Sequence, residues 1–342
     1  MMTPRIGYAG MTHLGLCSAV AAAAKGFEVV GFDPDAGLAS RLEAGDLPVA
    51  EPELDDLLHT HQRQITFTSD PARLARCDVI YVAPDVPTDE AGRSELTALD
   101  ALTIKVISRA PADAIIVVLS QVPPGYTRSR QLSGRQLYYQ VETLVFGRAV
   151  ERASKPERII VGCPDPAMPL PAPLEAFLGA FGCPIMTMRL ESAELAKIAI
   201  NCCLAASISV ANTLAELCER IGADWSEISP SLKLDSRIGP AAYLTPGPGL
   251  AGGNLERDLA TVVSLSGEYG TDAGVARAFL ANSAHRRDWP LRTLHARLLS
   301  RKPDARLGIL GLAYKENTHS VKNSPAIELI RHLSHCPLRV YD

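Results

Sequence analysis

RIGYAGMTHLG, residues 5–15, is the stretch that settles how this chain folds. Arg5 to Ala9 reads as a short apolar strand, Gly10 to Gly15 as a tight turn, and His13 to Lys25 as an alanine-rich helix. A glycine at the start lets the backbone turn sharply, and one at the end lets helix and strand pack closely. A helix beginning at such a turn directs free amides outward, where an anion is favoured. Thr12 takes the middle place, where the G-x-G-x-x-G pattern carries a further glycine. A second strand, Glu28 to Phe32, ends at Asp33. Strand, turn, helix, strand and acid in that order specify a dinucleotide site far better than the glycines alone. A carboxylate at Asp33 can accept from both ribose hydroxyls and repels a 2′-phosphate, so the expected cofactor is NAD. Gly10, Thr12, Gly15 and Asp33 are its candidate ligands. A doubly wound domain whose glycines serve packing alone is the weaker alternative, though the Thr12 side chain narrows the approach to the turn.

Working outward, strands are expected at Val79 to Ala83, Ala114 to Ser120 and Arg158 to Gly162, with helical segments between them. Apolar, unalternating strands in repeated β-α-β order predict a parallel sheet covered on both faces. The proline-rich stretch Ala167 to Pro173 predicts a surface loop. From Ser192 to Gly222 the apolar spacing becomes helical and predicts one long helix with Gly222 as its C-cap. More helices follow to about Leu299. A strand restarts at Ala305, then a helix over Ser324 to Leu333 and a strand LRVYD at the end. The predicted class is α/β: a Rossmann-like doubly wound parallel sheet, a central all-helical domain with a long connecting helix, and a partial C-terminal α/β unit. The expected divisions are 1–188, 189–300 and 301–342. A lone β-α-β unit cannot bury its own sheet faces, so the third is expected to be truncated.

Composition narrows the function. Of 342 residues, 47% are hydrophobic and 21% charged, as in an ordinary soluble globular protein. A net charge of −4 without a basic stripe argues against nucleic acid. The longest apolar stretch, Ile198 to Ala211, is broken by Asn201, Ser207 and Ser209, which argues against a membrane span. The start lacks the layout of a secretory signal, so a cytoplasmic protein is expected. Eight scattered cysteines with no Cys-x-x-Cys pair predict reduced thiols and no metal. His59 and His61 read as a solvated helix end.

Two further stretches carry chemistry. AELAKIAIN (193–201) sets Lys197 and Asn201 one helical turn apart, where a cation and an amide donor can share one oxyanion. PGPGLAGGNLERD (246–258) is a glycine-rich turn ending in Asn254, Arg257 and Asp258. With EPELDDLL (51–58), SQVPPGYTR (120–128), PERIIVG (156–162), DSRIG (235–239) and GLAYKENTHSVKNSPAIELI (311–330), they make the chain resemble the UDP-glucose/GDP-mannose dehydrogenase family from Arg5 to Asp342.

That resemblance implies an N-terminal NAD domain, a central helix at a homodimer interface and a C-terminal domain gripping the nucleotide of the sugar, a UDP-sugar by preference. It implies oxidation of a sugar C6 alcohol to a carboxylate with two NAD, through an aldehyde and a cysteine thioester. Lys197 and Asn201 match the residues that steady the oxyanion, Asp258 the aspartate that tunes the lysine or activates water, and Glu142 a general base. Ser120 and Lys322 match cofactor-binding positions, Lys322 where an arginine is usual. Arg237, Gly249 and Lys315 match substrate-binding positions. In the family turn PGxGYGGSCFPKD, however, the cysteine falls on Asn254, and a delocalised amide cannot form a thioester. Gln121 stands where a threonine positions water. Leu250 and Ala251 replace a tyrosine and a glycine, Leu38 a basic residue near the adenosine ribose. Gln140, Val141 and Thr143 depart from the pattern around Glu142. The losses at Asn254 and Gln121 fall in the aldehyde-to-acid half of the cycle, while Lys197, Asn201 and Asp258 serve the first half. Two functions are therefore expected: a dehydrogenase impaired in its second oxidation, or an inactive NAD- and nucleotide-sugar-binding homologue with a regulatory or assembly role.

Overall fold

The structure is a computed structural model that describes residues 3–89, 93–131, 135, 137–314 and 320–342. It divides into two compact units, Met1–Asp89 with Ser94–Lys197, and Ile198–Asp342 with Glu90–Arg93. The division falls inside one continuous helix, Leu190–Ile221, nine residues beyond the boundary expected at 188, and it does not separate 301–342 from the helices before it.

The first unit is built on an eight-stranded sheet: β1 (Ile6–Ala9), β2 (Val29–Phe32), β3 (Ile65–Thr68), β4 (Val79–Val82), β5 (Ile115–Val118), β6 (Leu137–Gln140), β7 (Ile159–Cys163) and β8 (Ile185–Arg189). Their spatial order is β3-β2-β1-β4-β5-β6-β7-β8. The chain reverses its winding between β1 and β4, which register Ile6 with Val79 and Ala9 with Val82. Such a switch point, at the carboxyl ends of the strands, is where open α/β sheets bind ligands. One pairing departs from the all-parallel expectation: β6 and β7 run antiparallel, Tyr139 opposite Gly162. The short helix Ala149–Ser154 between them returns the chain along the sheet without a full crossover.

Side chains alternate between two cores, as the strand period requires. Val79, Tyr81, Ile115 and Val117 join the helix His13–Ala24 on one face, while Ile80, Val82, Ile116 and Val118 pack with Leu99 and Val106 of the helix Thr97–Arg109 on the other. The loop after β7 is shorter than expected, because Ala172 already opens a helix that takes Pro173 in its first turn.

In the second unit the long helix ends where Gly222 turns into the left-handed region at φ +77°, and Asp224 caps the next helix by accepting from the Ser226 amide at 2.7 Å. The helices Asn254–Tyr269 and Gly274–Arg287 follow. Strands β9 (Leu307–Leu310) and β10 (Leu338–Tyr341) then pair in parallel, with the helix Pro325–His332 between them in sequence. Tyr341 is 58% exposed and Leu310 83% exposed, as a two-stranded sheet must leave one face uncovered.

Candidate active site

The phosphate turn has the geometry its sequence implies. Gly10 stands at φ +94°, and a Cβ there would lie 2.7 Å from the Pro84 nitrogen. A Cβ on Gly15 would lie 1.9 Å from the Gly10 carbonyl oxygen, so no other residue fits the return of the helix onto the turn. Thr12 sits in extended backbone, φ −77° and ψ −170°, and its Oγ1 accepts from the Asp85 amide at 2.7 Å. The hydroxyl therefore faces the loop after β4 and ties it to the turn. Asp33 is buried at the end of β2. One of its oxygens accepts from the Met11 amide at 2.7 Å and the other from the Asp35 amide at 2.9 Å. A carboxylate has about four acceptor sites, so two are left for ribose hydroxyls. The acid thus also fixes the turn, a role the sequence does not show. Ser120, fully buried after β5, donates to the Pro84 carbonyl oxygen at 2.5 Å and keeps lone pairs as acceptors. Backbone that a Cβ would fill, a helix starting at the turn and an acid at the end of β2 with acceptor sites to spare together fit a dinucleotide.

Still within the first unit, Glu142 follows β6. One oxygen accepts from the Leu144 amide, and the other lies 3.3 Å from Lys197 Nζ. Both side chains are more than four-fifths buried, which makes a short ion pair stronger than on the surface. Three residues before Lys197, the fully buried Glu194 accepts from the amides of Gly125 at 2.6 Å and Thr127 at 2.8 Å, anchoring the PPGYTR segment. Burial pushes its carboxyl above the usual range, and the Thr127 and Gly125 donors only partly offset this.

In the second unit, Asn201 and Asp258 are both buried, and Asn201 Nδ2 donates to Asp258 Oδ2 at 2.5 Å. Arg257, also buried, brings Nε to 3.4 Å from the other Asp258 oxygen. Asn254 is the first residue of its helix and is exposed; Gly253 before it stands at φ +87°. The Lys322 stem packs on this glycine, its Cε 3.1 Å from where a Cβ would be, so Lys322 borders the Asn254 turn. Gly249, at φ +85°, lies against the Ser283 carbonyl oxygen, 2.6 Å from a notional Cβ. Arg237 is exposed and forks onto Asp235 at 2.6 and 2.9 Å, which leaves it at the surface of this unit. Lys315 lies outside the described residues.

Five of the cysteines are held away from the thiolate form. Burial, with Asp258 adding to it, raises the thiol of Cys202 beside Asn201. Burial also pushes Cys77 up to about 12 and raises Cys17, Cys163 and Cys183. A nucleophilic thiolate needs the opposite shift. Among the described residues, no group of three or more His, Cys, Asp or Glu could hold a metal ion.

Comparison with known sequences accounts for this combination. The NAD binding domain of the UDP-glucose/GDP-mannose dehydrogenase family matches residues 4–169, and that family's central domain matches residues 191–283. The chain belongs to the UDP-glucose/GDP-mannose dehydrogenase family. These are NAD-dependent nucleotide-sugar dehydrogenases, and the cofactor is NAD. The chain is 30% identical over 338 residues to the UDP-glucose 6-dehydrogenase TuaD of Bacillus subtilis, covering 95% of this chain and 72% of that one. A UDP-glucose 6-dehydrogenase of Rickettsia typhi is 30% identical over 335 residues, covering 95% and 77%. Among solved structures, a UDP-glucose dehydrogenase from Pyrobaculum islandicum superposes with a TM-score of 0.90 at 28% identity, covering 99% of this chain and 81% of that one.

The long helix is, by length and composition alone, apolar enough to cross a membrane. Its polar residues Glu194, Asn201 and Asn212 each have a partner in the protein, Asn212 accepting from the Gly247 amide at 2.7 Å. Such side chains would be costly in lipid and are used here for packing.

Proposed function

We propose that this protein is an NAD-dependent dehydrogenase of a nucleotide sugar, a UDP-sugar, that oxidises the C6 alcohol to the aldehyde and lacks the thioester-dependent second oxidation. The observation that carries this reading is Asn254 at the family's cysteine position, with Lys197, Asn201 and Asp258 retained. NAD, when bound, supplies the hydride acceptor. Lys197 and Asn201, on consecutive turns of one helix, donate to the alcohol oxygen as it becomes an alkoxide and then a carbonyl oxygen. Glu142 holds the Lys197 ammonium and takes up the proton the alcohol loses. Asp258 holds the Asn201 amide in place by accepting from it, and Arg257 Nε lies beside that aspartate's other oxygen. The resemblance assigns Ser120 and Lys322 to the cofactor, and Arg237, Gly249 and Lys315 to the sugar nucleotide. Without sulfur, carboxylate forms only slowly, through the aldehyde hydrate.

The division into cofactor, central and nucleotide-gripping parts at 188 and 300 belongs to the same proposal. So does a homodimer formed along the long helix, where Val210, Leu214, Leu217 and Ile221 are 39–65% exposed at helical spacing. Eight free cysteines support the reducing cytoplasm. The second reading, a non-catalytic binding homologue, is favoured by Thr12, which stands in place of the middle glycine of the phosphate turn. Mass analysis of whatever forms from a panel of UDP-hexoses with NAD tests both. A product lighter by two hydrogens supports the dehydrogenase, tight NAD binding without product selects the second reading, and prompt accumulation of a uronic acid contradicts both.

A further inference from the structure

Glu51 is a buried carboxylate in the first unit that the proposed chemistry does not use. Its side chain is 1% exposed. One oxygen accepts from the His13 ring nitrogen Nε2 at 2.7 Å and from the Gly147 amide at 2.9 Å; the other accepts from the Ala149 amide at 3.1 Å. His13 is the first residue of the helix that leaves the phosphate turn. Gly147 and Ala149 close the segment that begins at Glu142. Phe146 of that segment stacks on the His13 ring, centroids 4.3 Å apart and planes 28° from parallel.

A carboxylate this deep is tolerated only while its oxygens are paired, so all three donors matter. Two of them are backbone groups of the Glu142 segment, and the third is the one side chain that reaches over from the cofactor turn. For Nε2 to donate to a carboxylate it must carry its proton, which fixes the ring's orientation. Stacking on Phe146 fixes the same ring from its face. His13 therefore has little freedom that does not also move Glu51 or Phe146. Conversely, ordering the first helical turn, as phosphate oxygens on its free amides would do, orders the ring and with it the far segment.

We propose that Glu51 and His13 form a positioning clasp that transmits occupancy of the phosphate turn to the Glu142 segment, so that bound cofactor sets the proton-accepting side chain. This rests on NAD occupying the turn and on Glu142 acting at the alcohol. Neither residue touches the reacting atoms.

Hydrogen exchange on the whole chain, with and without saturating NAD, tests the clasp. NAD slows exchange over residues 142–149 about tenfold more than it slows the amides of β7, the scale of one charge-assisted hydrogen bond. In His13→Leu, which still packs on Phe146 but cannot donate, the selective slowing disappears; in His13→Gln, which keeps an N–H donor, it survives. Selective slowing that persists in His13→Leu overturns the clasp, as does its absence in the unaltered protein when calorimetry shows NAD bound. If His13→Leu does not fold, His13→Phe replaces it, keeping a ring on Phe146 without a donor: loss of the selective slowing supports the clasp and retention refutes it. Calorimetry showing no NAD binding to the unaltered protein would instead remove the cofactor reading beneath it.

Discussion

Replacing Gly15 with alanine puts the phosphate turn to a quantitative test. The added methyl would stand 1.9 Å from the Gly10 carbonyl oxygen and 3.1 Å from that of Ala83. Ordinary contact begins near 3.4 Å, so the turn must open by about 1.5 Å, and no rotamer change helps because both neighbours are backbone. Overpacking of this kind costs about 1–3 kcal/mol, and backbone on both sides puts this case at the upper end. For a domain of this size ~3 kcal/mol corresponds to a fall of about 6–12 °C in Tm. The same opening draws helix amides away from the pyrophosphate. Losing one charge-assisted hydrogen bond weakens NAD about ten- to hundredfold. Thermal melts followed by circular dichroism, with and without NAD, and calorimetric titration measure both effects. Gly179→Ala is the control, because its Cβ meets nothing within 4 Å. If Gly15→Ala melts like the unaltered protein and binds NAD equally well, the glycine is not what shapes the cofactor site.

Three further outcomes are expected. Asn201→Ala removes an oxyanion donor and lowers kcat about 100- to 1000-fold with little change in KM, read in steady-state NADH formation; an unchanged kcat would exclude its role. Asn254→Cys restores a sulfur at the helix start and raises the NADH formed per sugar towards two, with a thioester trapped by acid quench, whereas an unaltered ratio would place the block elsewhere, at Gln121 first. Because burial raises the Glu194 carboxyl above its unfolded value, its contribution to stability is complete below the ordinary glutamate range and lost as pH rises through the folded value. Urea midpoints should therefore fall over that interval and flatten in Glu194→Gln; a midpoint that rises there would contradict the assigned direction.

The fold was legible where a buried strand is apolar throughout. IGYA, VVGF, VIYV and IIVV each stand out because both faces are covered, and their order around Gly10 to Gly15 specifies the winding. Three strands were not legible. In β3, ITFT alternates between buried and more exposed positions at a sheet edge; in β8, IMTMR is largely exposed at the opposite edge. Strand β6, LYYQ, is short and ends in a polar residue, and its antiparallel pairing with β7 is made across a long connection rather than a tight hairpin turn.

At the site, the spacing of Lys197 and Asn201 was readable because a helix converts four residues into one face. The partners of these residues were not, since Glu142 and Asp258 lie 55 and 57 residues away in sequence and only packing brings them close. The roles of Glu194 and Glu51 were hidden for the same reason, as was the partner of Arg257. Each looks like a surface charge until burial is known, although His13 inside the glycine turn was a signal for Glu51 that could have been followed.

The stoichiometry of a single turnover sequence decides the central claim: NADH released per UDP-sugar consumed by the unaltered protein. With an amide at residue 254 in place of a thiol, the proposal predicts a ratio of one and a product that is an aldehyde or its hydrate. A ratio of two at an ordinary enzymatic rate would show that the second oxidation runs without the family's cysteine.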